Sequence, residues 1–175
     1  MIHDALRALL EGRDLDEAEA TAAVEAVLSG EASPAQTAAL VMALRMKGET
    51  ATEIAAAARA LRRRCEPVEG LAGVVLDTCG TGGAGGRTFT ATPGAAPAAA
   101  PCGAPVPNPG LRAVTSRTGS ADLVEALGVN IHAPRALVSR CLREVGIGFL
   151  YAPTFHVTLA QAGVVRQELG IRTIF

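Results

Sequence analysis

Along residues 1–65 apolar positions return every three or four residues, the spacing of one helical face, and each run is bounded by start or stop signals. Ile2, Leu6, Leu9 and Leu10 form a first stripe that ends at Gly12. Asp14 with Glu17 is placed to cap a second helix, which carries Val24, Val27 and Leu28 and ends near Gly30. Ser33-Pro34-x-Gln36 sets a cap, a proline at the first helical position and a reciprocal polar partner in order. The third helix that follows carries Leu40, Val41, Leu44 and Met46 and stops at Gly48. Thr50-x-x-Glu53 is a second capping box, and its helix runs through Ile54 and Leu61 to Arg62-Arg63-Arg64, a basic cluster that suits a helix C-terminus. Short helices with small residues facing inward predict a bundle, which by itself names no chemistry.

After Pro67 the pattern changes, and the domain boundary is expected there, with residues 1–66 helical and residues 70–175 of another class. Val74-Val75-Leu76 is a continuous apolar run between Gly73 and a turn, which predicts a strand buried on both faces. Helices are expected over Ser120–Leu127, Pro134–Val145 and His156–Leu169, and a strand over Ile147–Tyr151. The alternation predicts an α/β layer with a parallel sheet. Ile171–Phe175 has strand character and no stop signal, so the domain is expected to continue.

Composition narrows the packing. Hydrophobic residues make up 49% of the chain but aromatic ones only 3%, so alanine, leucine and valine must fill the core, which favours closely approaching helices. A formal charge of -1 gives no polyanion-binding signature and argues against nucleic acid as a partner. Cys65, Cys79, Cys102 and Cys141 are scattered, with no Cys-x-x-Cys pair and no zinc spacing, and are expected to be reduced, mostly buried thiols. No signal peptide and no apolar run long enough for a bilayer is read, so no membrane partner and a cytoplasmic location are expected.

The chemistry concentrates after the predicted strand. Glycines at 80, 82, 83, 85 and 86 let backbone N–H groups approach an anion, and threonines at 81, 88, 90 and 92 add hydroxyls. The loop is not a Walker loop and does not fit Gly-x-Gly-x-x-Gly. On pattern alone a phosphate site and a flexible connector both stay open. Pro93, Pro97, Pro101, Pro105 and Pro109 then follow at an interval of four, and an interior helical proline costs roughly 3 kcal/mol or more.

Gly80-Thr81-Gly82-Gly83, the run LRAVTSRTGSADLVEALGVN from Leu111, the run CLREVGIGFLYAPTFH from Cys141, and VVRQELGIRTIF at the end together resemble the anthranilate phosphoribosyltransferase family. The resemblance implies an N-terminal dimerising helical bundle followed by the first part of a parallel-sheet α/β domain of the nucleoside phosphorylase and phosphoribosyltransferase type. It also implies transfer of a phosphoribosyl group from phosphoribosyl pyrophosphate to the amine of anthranilate, with Mg2+ bound, in tryptophan biosynthesis, by a homodimer. No residue is expected to act covalently, because the reaction asks for neutralisation of the leaving diphosphate and positioning of the amine. By position, phosphoribosyl pyrophosphate would meet Gly80, Thr81, Gly82, Gly83, Ala84, Thr88, Thr90, Thr92, Asn108, Arg112, Ser116 and Ser120. Anthranilate would meet Gly80, Leu111 and Arg166, and Mg2+ would meet Thr92. Without the resemblance Arg166 reads as a solvated helix residue.

Several positions depart from the family pattern. Ala84 stands for an aspartate, Thr90 for an asparagine, and Asn108, Pro109, Gly110 and Leu111 for lysine, histidine, glycine and asparagine. Each loss of charge or amide is expected to cost on the order of several kcal/mol of ligand or transition-state stabilisation. Most of these changes, and alanine to proline, need one base changing to C, so the stretch reads as decay or base-calling error over an ordinary transferase loop. The family's acidic magnesium ligands lie in the half that follows. Two other readings stand beside the transferase: a pyrimidine nucleoside phosphorylase relative, and a non-catalytic remnant that keeps only the helical interaction module.

Overall fold

The structure, a computed structural model, describes residues 1–80, 91–113, 118–156, 160–170 and 173. In chain order the elements are α1 (Ile2–Leu10), α2 (Glu17–Leu28), α3 (Pro34–Lys47), α4 (Ala51–Arg63), α5 (Thr92–Ala99), β1 (Val106–Gly110), α6 (Ser120–Ala126), α7 (Arg135–Glu144), β2 (Ile147–Tyr151), α8 (Ala152–Phe155) and α9 (Ala160–Leu169). Contacts divide the chain into a unit of residues 1–65 with 158–175, and a unit of residues 66–157.

The first unit is helical, and small residues form its interior. Ala20, Ala23 and Ala26 of α2 and Ala56, Ala57 and Ala60 of α4 are buried, and Leu40, Val41 and Leu44 fill the core from α3. Helices faced with alanine can approach closely, which is how a chain so poor in aromatics closes a core. The caps at Ser33 with Gln36 and at Thr50 with Glu53 form as read, and Gly48 ends α3 at φ 89°. The cap of α2 does not. It is Asp16, whose carboxylate accepts the Glu19 N–H at 2.8 Å, while Arg13 forks onto both Glu19 oxygens at 2.9 and 2.8 Å. Asp14 accepts instead from Lys47 Nζ at 2.7 Å. Leu10 and Met46, expected on the apolar stripes, are exposed.

Glu53 does more than cap. Only 1% exposed, it accepts the Leu15 N–H on Oε1 at 2.9 Å. Its Oε2 accepts the Thr50 N–H at 2.8 Å and Lys47 Nζ at 3.1 Å. One carboxylate therefore ties α4 to the α1–α2 connection and to the end of α3.

The second unit is built on a parallel pair, with Val106 opposite Ile147 through to Gly110 opposite Tyr151. α6 and α7 lie between the two strands in the chain, as a parallel crossover requires. Ala121, Val124 and Ile131 pack with Phe149 and Tyr151, while Val138, Leu142 and Phe155 form a second cluster with Leu150. Gly148 is required here, because a Cβ on it would lie 2.9 Å from Leu142.

The strand expected at Val74–Leu76 is not formed, and Val74 is 83% exposed. The reason lies in β1. The Val106 N–H donates to the Gly146 carbonyl at 2.8 Å, so Val106 and Asn108 face β2, and the alternate residues Pro105, Pro107 and Pro109 face the other edge. The Leu76 N–H reaches that edge, donating to the Pro105 carbonyl at 2.9 Å. Prolines offer no N–H in return, so the ladder stops after a single bond. Pro107→Val with Pro109→Val supplies the missing donors; amide hydrogen exchange in residues 74–76 should then slow by about tenfold, the worth of roughly one net hydrogen bond. Unchanged exchange there would show that the prolines are not what keeps the segment out of the sheet.

α5 also departs from expectation. Pro93 sits in the first turn, but Pro97 lies inside the helix, which nevertheless runs to Ala99 and passes through a 3-10 turn over Ala100–Cys102 into Gly103 at φ 93°. Ala96, fully buried beside the exposed Pro97, anchors the helix, so packing of one face offsets the donor that Pro97 lacks. His156, expected in a helix, is instead the non-helical residue after α8. No disulfide joins the four cysteines, and they are not the mostly buried thiols expected: Cys79 and Cys102 are exposed, and neither Cys65 nor Cys141 is fully buried.

Candidate functional site

Thr81, Gly82, Gly83, Ala84, Thr88, Thr90 and Ser116 lie outside the described residues, as does most of the expected strand at Ile171–Phe175. In the second unit α5, which carries Thr92, packs against both β1, which carries Asn108, and α6, which begins at Ser120.

At its N-terminus α5 meets the entry to the glycine loop. The Cys79 N–H donates to Asp77 Oδ1 at 2.8 Å, turning the chain, and the Thr92 hydroxyl donates to the Thr78 carbonyl at 3.1 Å. No side chain caps α5; Pro93 has no N–H, and the Gly94 and Ala95 N–H groups donate to the Ala91 carbonyl at 3.0 and 2.9 Å, so what the start of the helix presents to an anion is chiefly the positive end of its dipole. The Thr78 hydroxyl beside it is buried without a hydrogen-bond partner. Gly80 is exposed, with open space where a Cβ would lie.

At the far end of β1 the chain folds back against α6. The Ala121 N–H donates to the Leu111 carbonyl at 3.1 Å. Gly119 allows this crossing: a Cβ there would fall 2.4 Å from the Leu111 carbonyl oxygen and 2.5 Å from the Ala113 nitrogen. Gly110 likewise passes so close to Ser120 and Phe149 that a Cβ would meet them at 3.1 and 2.6 Å. Asp122 fastens the crossing, its Oδ2 accepting the N–H of Ala113 at 3.0 Å and of Gly119 at 2.8 Å. Those two N–H groups hold its carboxyl below the ordinary carboxylate range.

Arg112, carried over as a ligand contact, is already paired. Its guanidinium forks onto Glu125 at 2.7 and 2.9 Å and reaches Asp122 Oδ1 at 3.1 Å. The hydrogen bonds it donates to Glu125 and then to Asp122 raise its pKa further. Sequence reasoning missed Gly119, Asp122 and Glu125; the signal was an acidic residue at the third position of the helix that opens at Ser120, with a glycine just before it. Leu111 is exposed at the turn. Asn108, at 4% exposure, is buried within β1 with its side-chain oxygen unpartnered, which costs about 1–3 kcal/mol.

Arg166 lies on α9, in the helical unit. It is not a solvated helix residue: Nε is buried without a partner, and burial pulls the guanidinium below its ordinary pKa.

Magnesium, which the resemblance implies, asks for carboxylate and phosphate oxygens in octahedral geometry. Among the described residues Thr92 offers one neutral hydroxyl already engaged with Thr78, and no group of His, Cys, Asp or Glu is placed to hold a metal ion. The described residues do not by themselves fit a magnesium site.

Residues 3–65 match the helical bundle domain of a glycosyl transferase family, and residues 72–175 match that family's a/b domain. The chain is 50% identical to an anthranilate phosphoribosyltransferase of Symbiobacterium thermophilum, over 97% of this chain and 50% of that one. It is also 50% identical to one of Anaeromyxobacter dehalogenans, over 100% of this chain and 52% of the relative. The crystal structure of anthranilate phosphoribosyltransferase from Thermus thermophilus superposes with a TM-score of 0.86 at 43% identity, covering 98% of this chain and 52% of that chain. The Saccharomyces cerevisiae enzyme in complex with phosphoribosyl pyrophosphate and Mg superposes with a TM-score of 0.87 at 28% identity, covering 99% and 52%. The chain spans about half the length of the curated relatives it matches.

Proposed function

Because this chain belongs to the glycosyl transferase family, we propose that it is part of an anthranilate phosphoribosyltransferase and contributes the phosphoribosyl pyrophosphate-binding face of that enzyme. One observation carries the reading: the glycine-loop entry, the uncapped start of α5 and the fold-back of β1 onto α6 all border a single helix. That arrangement offers hydroxyls and the positive end of a helix dipole, and no carboxylate–histidine pair for acid–base work is among the residues assigned to it. Such a surface suits a reaction in which the protein neutralises a departing diphosphate while positive charge develops on the ribose.

In this reading Gly80–Gly83, with Ala84, Thr88, Thr90 and Thr92, cradle the diphosphate, and Asn108, Arg112, Ser116 and Ser120 border the phosphoribosyl group. The resemblance assigns Gly80, Leu111 and Arg166 to anthranilate, and the desolvated, unpaired Nε of Arg166 supports its engagement of a carboxylate by a planar fork. Mg2+ would accompany the diphosphate, and the resemblance assigns Thr92 as its contact on this chain. The protein works as a cytoplasmic homodimer joined through the N-terminal helices, a role supported by the exposed Leu10, Met46 and Ile54. No described helix is long and apolar enough to cross a membrane.

Isothermal titration with phosphoribosyl pyrophosphate and Mg2+ tests the reading. Binding is expected at millimolar or tighter ligand, weakened about tenfold or more by Thr92→Val, which keeps the shape and removes the hydroxyl. Absence of binding to the unmodified chain and to the Asn108→Lys, Leu111→Asn variant would instead favour the non-catalytic remnant.

A further inference from the structure

A polyphosphate arriving at the β1 exit would recruit the fork of Arg112, whose side chain is 43% exposed. That fork is occupied. One guanidinium faces two carboxylates, and the two are held differently. Asp122 is tied to the backbone through the N–H groups of Ala113 and Gly119 as well as to Arg112. The Glu125 carboxylate, 44% exposed, is held through Arg112, which donates to Oε2 at 2.7 Å and to Oε1 at 2.9 Å, and no backbone N–H among the described residues ties it as Asp122 is tied.

We propose that Glu125 is a displaceable carboxylate that fills the Arg112 fork in place of a phosphate and so sets, by competition, the affinity of this end of the sheet for diphosphate-bearing ligands. Asp122 is the positioning residue: it keeps the chain after β1 on α6 whether or not Glu125 has been displaced. The inference rests on the reading of the β1 exit as part of a phosphoribosyl pyrophosphate site. The physical basis is the weakness of an exposed ion pair, which a ligand carrying several negative charges can replace, and which also repels that ligand until it yields.

The probe is inorganic pyrophosphate, titrated calorimetrically into the unmodified chain, Glu125→Gln, Arg112→Gln and the double variant. Glu125→Gln is expected to bind about two- to fivefold tighter than the unmodified chain, the range an exposed pair supplies. The double variant should fall to the level of Arg112→Gln alone, a non-additivity that a merely structural role for Glu125 would not produce. If Glu125→Gln fails to fold, as read from Tyr151 fluorescence, Glu125→Asp withdraws the carboxylate by one methylene and should give a smaller gain of the same sign. Equal or weaker binding by a folded Glu125 variant, with the unmodified chain still binding, overturns the inference and leaves the site reading standing. Binding by Glu125→Gln alone supports both, and no binding by any variant overturns both.

Discussion

Replacing Glu53 with alanine is expected to destabilise the helical unit by about 3 kcal/mol, a large share of the margin on which a domain of this size folds. The substitution leaves the buried Leu15 N–H and the Thr50 N–H without their acceptor and takes one counter-charge from Lys47, which keeps Asp14 at 2.7 Å and the Gly48 carbonyl at 2.8 Å. Glu53→Gln is also expected to be costly, because an amide presents one acceptor oxygen and turns its NH2 toward donors. The pH dependence follows. Burial alone would raise the Glu53 carboxyl, but the N–H groups of Thr50 and Leu15 and the Lys47 ammonium together hold it below its ordinary value. A depressed carboxylate contributes stability that is present above its unfolded pKa of about 4.3 and is lost as pH falls through the folded-state value. Acid unfolding of the unit, followed by far-ultraviolet circular dichroism, should therefore begin below about pH 4.3, and Glu53→Gln should flatten that limb while lowering stability at neutral pH. A Glu53→Ala protein as stable as the parent would mean that the network does not form in solution.

Pro97→Ala should move the α/β unit the other way. The N–H it restores at the interior of α5 can meet the Pro93 carbonyl, and the ring no longer presses on the preceding turn. The interior penalty of roughly 3 kcal/mol is partly offset because alanine frees the unfolded chain by about 0.4–1 kcal/mol, so a net gain of about 2–3 kcal/mol is expected. Pro93→Ala is the control: in the first turn no N–H is wanted, so little or no gain is expected there. Tyr151, the single tyrosine in a chain without tryptophan, lies in this unit and reports its unfolding in urea. Equal effects at the two prolines would show that α5 is not helical in solution.

Much of the helical unit is legible residue by residue. Ser33 with Gln36, Thr50 with Glu53, and the glycine at 48 are local signals, and local hydrogen bonding is enough to realise them. Asp14 was misread because its competitor Asp16 offers an equally good cap, and the choice went to tertiary contacts: Lys47 claimed Asp14, and Arg13 claimed Glu19. Glu53 could be read as a cap but not as a buried ion, since nothing local reveals that Leu15 and Lys47 converge on it. In the second unit the strand at Ile147–Tyr151 and the helices α6 and α7 before it followed from periodicity and stop signals, whereas Val74–Leu76 carried a strand's composition without a neighbour able to donate to it.

The candidate site divides along the same line. The glycine loop could be proposed as an anion cradle from residue types and spacing, because such a cradle needs small residues and donors close together in the chain, whereas Thr92 and the run from Leu111 to Ser120 were assigned through the family resemblance. The state of those residues could not be read in either way. Arg112 is engaged by carboxylates ten and thirteen positions away, Asn108 is buried with an oxygen unpartnered, and Arg166 belongs to the helical unit. Sequence by itself determined the helical bundle, the strand at Ile147–Tyr151 and the α/β class of the second unit, which depend on periodicity and short-range hydrogen bonding, but not the strand Val106–Gly110 that pairs with it. Only the tertiary structure decided which edge of β1 the prolines close, which cap starts α2 and which charges are already spent, because each depends on a partner brought near by folding.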